Sequence, residues 1–124
     1  MPSYKLTYFA GRGRGELSRL LFAVSGTKFE DVRVEFPDWP ALKPKTPLGS
    51  LPLLETEGKT LVQSLSIARF LANKFGLLGK TVEDQAIADM IVATCEDVRV
   101  NLAPALFEQD PAAREYEDLF YKGK

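Results

Sequence analysis

One phenol, one proline-led apolar run and one pair of polar residues at a helix start carry whatever chemistry this chain can do. Tyr8 stands at the end of an alternating stretch, Tyr4 to Phe9, and a glycine-rich turn follows it. At the carboxyl end of a strand in an open α/β sheet, a tyrosine hydroxyl faces the place where ligands bind. There it can donate a hydrogen bond to a sulfur anion and so raise the share of thiolate, the reactive form of a thiol. Read plainly, the same residue is a half-buried strand aromatic. Gly49-Ser50-Leu51-Pro52-Leu53-Leu54-Glu55 supplies a second element. Proline cannot donate to a sheet ladder, so Pro52 belongs at a strand's start or edge. A trans Leu51-Pro52 bond would carry the chain straight on, whereas a cis bond would turn it sharply and leave the main-chain N–H and C=O of Leu51 open to pair antiparallel with an extended peptide.

Two further pairs fit an acid. Gln63-Ser64 opens a helix, where free N–H groups and polar side chains make an anion site; the plain reading is capping. Trp39 and Lys43 are four residues apart, so one helical face can carry an indole N–H and an ammonium suited to a carboxylate. Taken singly, Trp39 reads as a plug under a loop and Lys43 as a surface charge. Together these positions point to a pocket for a small peptide-like acid.

Other chemistries fall away. The chain has no histidine and one cysteine, Cys95, which removes histidine-based general-base or metal chemistry, an internal disulfide and any two-cysteine redox motif. Cys95 lies on an apolar helical stripe and reads as a packed core or interface thiol. Gly11-Arg12-Gly13-Arg14-Gly15 invites a nucleotide reading, but Glu16 breaks G-x-G-x-x-G and no Gly-Lys-Ser/Thr follows. A flexible strand-to-helix turn is the better reading, with Arg14 placed to orient the Tyr8 region. A net charge of −1 with mixed signs offers no basic field for nucleic acid or an anionic membrane. No apolar run is long enough to span a bilayer, and residues 1–5 lack a signal core, which points to the cytosol.

The elements that must position these residues follow from periodicity. Tyr4, Leu6 and Tyr8 share one strand face. Leu17, Leu20, Leu21 and Val24 recur at helical spacing, and Gly26 stands where a C′ glycine belongs. Phe29 to Phe36 reads as a second strand with Val32, Val34 and Phe36 on one face; strand, helix, strand predicts a parallel crossover. Four prolines between 37 and 47 make an irregular stretch with one helical turn after Asp38. The strands begun by Leu51 and Thr60 form a hairpin through Glu57-Gly58-Lys59. Ile67, Phe70, Leu71 and Phe75 mark a helix closed by Gly76. The result is a small α/β domain, helices over a four-stranded mixed sheet.

A linker, 77–80, precedes Thr81-Val82-Glu83-Asp84, which resembles a capping box with Asp for Glu. Ile87, Met90, Ile91, Thr94, Cys95, Val98 and Leu102 continue a helical stripe that Pro104 should bend or end. Asp110-Pro111 reads as the start of another helix, with Tyr116, Leu119 and Phe120 on its apolar side. So short a helical remainder should leave the stripe only partly covered. Domains are expected at 1–79 and 80–124, the second a partial all-α domain.

Pro2 to Phe9 with Arg14, Asp38-Trp39-Pro40, Leu51-Pro52, Gln63 to Leu71 and the helix from Thr81 closely resemble cytosolic glutathione transferases of the sigma class. That class includes glutathione-dependent prostaglandin D synthases and the S-crystallins of cephalopod lenses. The resemblance runs from residue 2 to about residue 100 and implies a thioredoxin-like first domain followed by helices. It implies that Tyr8 stabilises the glutathione thiolate, supported by Arg14, and that Trp39 and Lys43 bind the glycine end. By the same correspondence Leu51, before a cis Pro52, pairs with the cysteinyl main chain, and Gln63 and Ser64 receive the γ-glutamyl carboxylate. Asp97 would reach the γ-glutamyl amine of the other subunit in a homodimer. Ser50 stands where some relatives carry a lysine that helps the glycine carboxylate, so weaker binding is expected. The implied activity is detoxifying transfer of glutathione to a small hydrophobic electrophile. The alternatives are a prostaglandin D-isomerase and a non-catalytic, S-crystallin-like protein.

Overall fold

The computed structural model describes residues 2–107, with side chains to residue 104. Residues 1–78 form one compact unit, and a second begins at Gly79. In the first unit, β1 (Tyr4–Phe9), α1 (Glu16–Ser25), β2 (Glu30–Val34), α2 (Trp39–Leu42), β3 (Leu53–Thr56), β4 (Lys59–Val62) and α3 (Ser64–Lys74) follow in order. The sheet runs β2-β1-β3-β4, with β1 and β2 parallel and the remaining pairs antiparallel. This is the four-stranded mixed sheet with helices that the sequence pattern predicts, in the thioredoxin-like arrangement that the resemblance implies.

Local chemistry explains the joints. Gly26 ends α1 at φ 69°, its N–H returning to the Ala23 carbonyl, the left-handed close that glycine permits without a Cβ penalty. At the β3–β4 hairpin Glu57 and Gly58 both have positive φ, 49° and 74°. Two left-handed residues match the twist of the strands they join. After α3, the Leu77 N–H reaches back 2.8 Å to the Ala72 carbonyl.

The core between sheet and helices is built on Tyr4, Leu6, Phe22, Leu54, Ile67 and Leu71. Phe22 stacks flat on Phe29 with ring centres 4.1 Å apart and meets Tyr4 edge-on. A second cluster gathers Val34, Leu51 and Leu53 with Phe9, Trp39, Leu42 and Val62 packed against them.

Two apolar faces depart from the periodicity. The α1 stripe expected to be buried holds Leu20 and Val24, which are 51% and 72% exposed. The helix turns Ser18, Arg19 and Phe22 inward instead, following the buried Gly15. Gly15 lets the chain pass against the Tyr8 ring at the start of the helix, and α1 packs along α3, so tertiary contact outweighs the apolar count. Likewise β2 ends at Val34, and Phe36 joins a 3-10 turn with Pro37 and Asp38. Phe36 is 71% exposed and stacks on Phe9 at 5.1 Å rather than facing the core. The strand expected from Leu51 also enters the ladder only at Leu53.

In the second unit, α4 (Val82–Phe107) is a long helix opened by Thr81, whose hydroxyl accepts the Asp84 N–H at 3.0 Å. Pro104 does not end it. The helix continues to Phe107, because a proline there removes only the bond to the Val100 carbonyl, close to the helix end. Ile87, Met90, Ile91 and Val98 are exposed, and so is Cys95, which therefore is not a packed core thiol. The helix predicted from Asp110 lies outside the described residues. Among the described residues, no helix is long and apolar enough to cross a membrane.

Candidate functional site

Sheet register collects most of the sequence-predicted residues at one end of the first unit. Thr7 pairs with Leu53, and Leu53 with Val62. Tyr8, Pro52 and Gln63 are each one step beyond those rungs, on the same side. Leu51 and Pro52 are buried and precede the ladder, and the peptide bond between them is cis. Leu51 therefore presents main-chain groups that β1 does not pair as ladder partners.

Tyr8 is held from three directions. Its hydroxyl oxygen accepts the main-chain N–H of Arg14 at 3.0 Å. That bond uses a lone pair and leaves the hydroxyl proton for another acceptor, such as a sulfur anion. The turn expected to be merely flexible is a cradle. A Cβ at Gly13, which has φ 37°, would collide with the Tyr8 hydroxyl, and one at Gly15 would sit 2.5 Å from the ring. Glycine at both positions lets the backbone approach the phenol, with Gly13–Gly15 in a 3-10 turn feeding α1. The Arg14 main chain thus holds the Tyr8 hydroxyl.

The third direction is Arg19, which sequence reasoning missed. Its guanidinium lies 5.6 Å from the centre of the Tyr8 ring. It donates to the Phe9 carbonyl at 2.8 Å and the Gly11 carbonyl at 2.7 Å, and pairs with Asp31 on β2 at 3.2 Å. Glu16 is 3.8 Å away. The side chain is only 7% exposed, and a buried cation persists only when paired and hydrogen-bonded, as here. The available signal was its position three residues before Phe22, on the stripe that faces inward.

Around this centre the other candidates take distinct places. Trp39 opens α2, packs edge-on against Phe9 at 5.4 Å and shares the cluster of Leu51 and Leu53. Lys43 follows α2, its N–H bonded to the Trp39 carbonyl, so the two residues lie one helical turn apart. The Lys43 stem runs beside Gly49: a Cβ there would be 3.6 Å from Cε. Ser50 is exposed between Gly49 and Leu51.

Among the described residues, Gln63 is the other positive-φ residue that is not glycine, at 74°. Outliers of this kind concentrate at ligand clamps. It is the N-cap of α3, yet its side chain makes no capping hydrogen bond. The first N–H groups of this eleven-residue helix thus receive no side-chain cap from Gln63, and Ser64 beside them is partly buried. Asp97 is not among these residues. It is exposed on α4, in the second unit.

A cleft of about 790 Å³ opens at the opposite end of the sheet, between Tyr4, Lys5, Phe29, Glu30 and Glu57. Its charges alternate, with Lys5 and Glu55 paired at 3.7 Å, and none of the sequence-predicted residues lines it.

Comparison with known proteins fits this geometry. Residues 4–73 match the model of the glutathione S-transferase N-terminal domain. The chain is 48% identical to the hematopoietic prostaglandin D synthase of Gallus gallus over 119 residues, 96% of this chain and 60% of that protein. It is 54% identical to glutathione S-transferase 1 of Ascaris suum over 104 residues, 84% of this chain and 50% of that one. A solved glutathione S-transferase of the hookworm Necator americanus, described as monomeric Na-GST-3, superposes with a TM-score of 0.83 at 40% identity, covering 94% of this chain and 58% of that one. The chain thus spans between half and three fifths of the length of these relatives.

Proposed function

The chain belongs to the glutathione S-transferase family, and from that premise we propose that its first unit binds glutathione and holds the sulfur as a thiolate for attack on a small electrophile. The observation that carries this reading is the Tyr8 hydroxyl. It accepts the Arg14 N–H at 3.0 Å and keeps its own proton, at the end of the sheet where Leu51 stands outside the ladder. A hydrogen bond from that proton to sulfur favours the anion and raises the fraction of nucleophile at neutral pH. The bound peptide supplies the nucleophile, and the protein supplies orientation and charge stabilisation.

In this reading the tripeptide lies extended along Leu51 and Pro52, pairing through the cysteinyl main chain. Trp39 and Lys43 take the glycine carboxylate, with Ser50 nearby. Gln63, Ser64 and the open N–H groups of α3 take the γ-glutamyl carboxylate, an anion at a helix N-terminus. Asp97 is assigned to the γ-glutamyl amine of a second subunit, so a homodimer belongs to the proposal, as do the sigma class and a cytosolic setting.

The test is retention on immobilised glutathione together with turnover of chlorodinitrobenzene. Retention and turnover are expected for the wild type, with kcat about a hundredfold lower for Tyr8→Phe. Equal rates for the two would refute the role of Tyr8. Retention without turnover would favour a non-catalytic glutathione-binding protein.

A prostaglandin D-isomerase is the second reading, supported by the 48% identity to the chicken synthase. It uses the same glutathione contacts and differs only in what fills the electrophile pocket. Conversion of a prostaglandin endoperoxide in the presence of glutathione would separate the two.

A further inference from the structure

We propose that Arg19 is a positioning residue for Tyr8, setting where the phenol hydroxyl points and hence how much of a bound thiol is ionised. The proposal rests on the reading of Tyr8 given above. It begins from an imbalance between the two residues: Tyr8 is partly exposed at a strand end, whereas Arg19 is 7% exposed and fully engaged. Its donors tie together three segments that meet around the phenol. The Phe9 carbonyl belongs to the residue directly after Tyr8, the Gly11 carbonyl to the turn that becomes the glycine cradle, and Asp31 to the neighbouring strand. Asp31 is itself held by Arg33, whose guanidinium donates to its second oxygen at 3.0 Å and to the Ala10 carbonyl at 3.0 Å. The backbone from Phe9 to Gly11 is thereby fastened to β2 at three consecutive residues.

The same guanidinium lies over the ring it indirectly fixes, 5.6 Å from its centre, within the range of a cation–π contact. Ring position and cradle position are thus set by one group. The hydroxyl meets its Arg14 N–H partner only if both are in place. A lysine would keep the charge but offers its three N–H donors from one atom. It cannot hold two carbonyls and a carboxylate in one plane as the guanidinium fork does. None of the groups assigned to the ends of the peptide touches Arg19, so loss of the fork should spare binding and affect ionisation.

The experiment compares wild type, Tyr8→Phe, Arg19→Lys and Asp31→Asn in the full chain. The thiolate absorbance of bound glutathione is followed against pH, and kcat and KM for glutathione are measured with chlorodinitrobenzene. Arg19→Lys should move the thiolate titration toward higher pH, in the same direction as Tyr8→Phe, and lower kcat about tenfold while KM for glutathione stays within about twofold. Asp31→Asn removes the negative charge of one anchor and leaves both carbonyl bonds, so it should shift the titration the same way by less. That variant decides the question if Arg19→Lys does not fold. An unmoved titration in the folded Arg19 and Asp31 variants, with a clear shift in Tyr8→Phe, overturns the proposal. So does a loss confined to KM. If Tyr8→Phe itself leaves the titration unmoved, the reading of Tyr8 fails first, and the role of Arg19 falls with it.

Discussion

Helices α3 and α4 carry apolar residues at the same helical spacing and end in opposite situations. On α3, Ile67, Ala68, Leu71 and Ala72 are buried between helix and sheet, and two of them belong to the main core cluster. On α4, Ile87, Met90, Ile91 and Val98 remain exposed. Periodicity therefore specifies a helix and the face it would bury, but burial requires a second surface. For α3 that surface is the sheet, supplied within the same 78 residues. The first unit closes its own layers, and its site end inherits that rigidity.

The sharpest way to break this contrast is to cut side chains on both helices. Leu71→Ala should cost about 2–5 kcal/mol, the usual range for a fully buried leucine. Ile91→Ala on the exposed face should fall within about 0.5 kcal/mol of wild type. Urea unfolding of both variants is followed by far-ultraviolet circular dichroism, to which α3 and α4 both contribute, because the fluorescence of Trp39, the only tryptophan, reports the first unit alone. Comparable losses for the two variants would show that α4 is covered in solution. Next in size is Gly13→Ala, which should cost about 1–3 kcal/mol, because a left-handed φ is combined with a collision against the phenol. It should also depress turnover more than glutathione retention; unchanged turnover would show that the cradle adjusts.

Ser18→Ala sharpens the point from within the core. Ser18 is completely buried and its hydroxyl has no hydrogen-bond partner among the described residues, so removing the oxygen should leave stability unchanged or raise it by about 1 kcal/mol. A clear loss in urea would reveal a partner, such as an internal water. Smallest is Lys43→Gln. This exposed cation should strengthen carboxylate binding by only about 0.5–1 kcal/mol, so Kd for glutathione should rise two- to fivefold, and less at high salt. A loss of a hundredfold would mean that the ammonium is desolvated in the complex.

Much of the first unit is legible in the residues alone, where local conformational rules and burial agree. Gly26, the Glu57-Gly58 hairpin, the Gln63-Ser64 helix start and α3 all follow from such rules. The misread positions are those where tertiary contact overrides local pattern. Leu20 and Val24 carry the apolar count of α1, yet contact with Tyr8 at Gly15 and packing along α3 decide which side turns inward. Phe36 continues the alternation of β2, but the chain turns at Pro37 and the ring stacks outward on Phe9. Gly13 and Gly15 look like flexible punctuation because a single sequence does not reveal that Tyr8 fills the space a Cβ would need. Arg19 was missed because its place three residues before Phe22 shows only that the position faces inward, while most of the partners that make a buried arginine stable, Phe9, Gly11 and Asp31, lie 8 to 12 residues away. For the site, Tyr8, Trp39, Leu51, Pro52, Gln63 and Ser64 could be nominated from residue type and spacing. Their gathering at one sheet end depends on the pairings of Thr7 with Leu53 and Leu53 with Val62.

The most direct measurement is a titration of glutathione into the isotope-labelled chain, with backbone amide shifts followed by NMR. If the peptide lies along the segment before β3 with its γ-glutamyl end at α3, the largest changes should fall on the amides of Leu51 and Ser64, with Arg14 moving as the Tyr8 hydroxyl engages sulfur. Changes concentrated at Tyr4, Phe29 and Glu57, around the opposite cleft, with Leu51 and Ser64 unmoved, would contradict it.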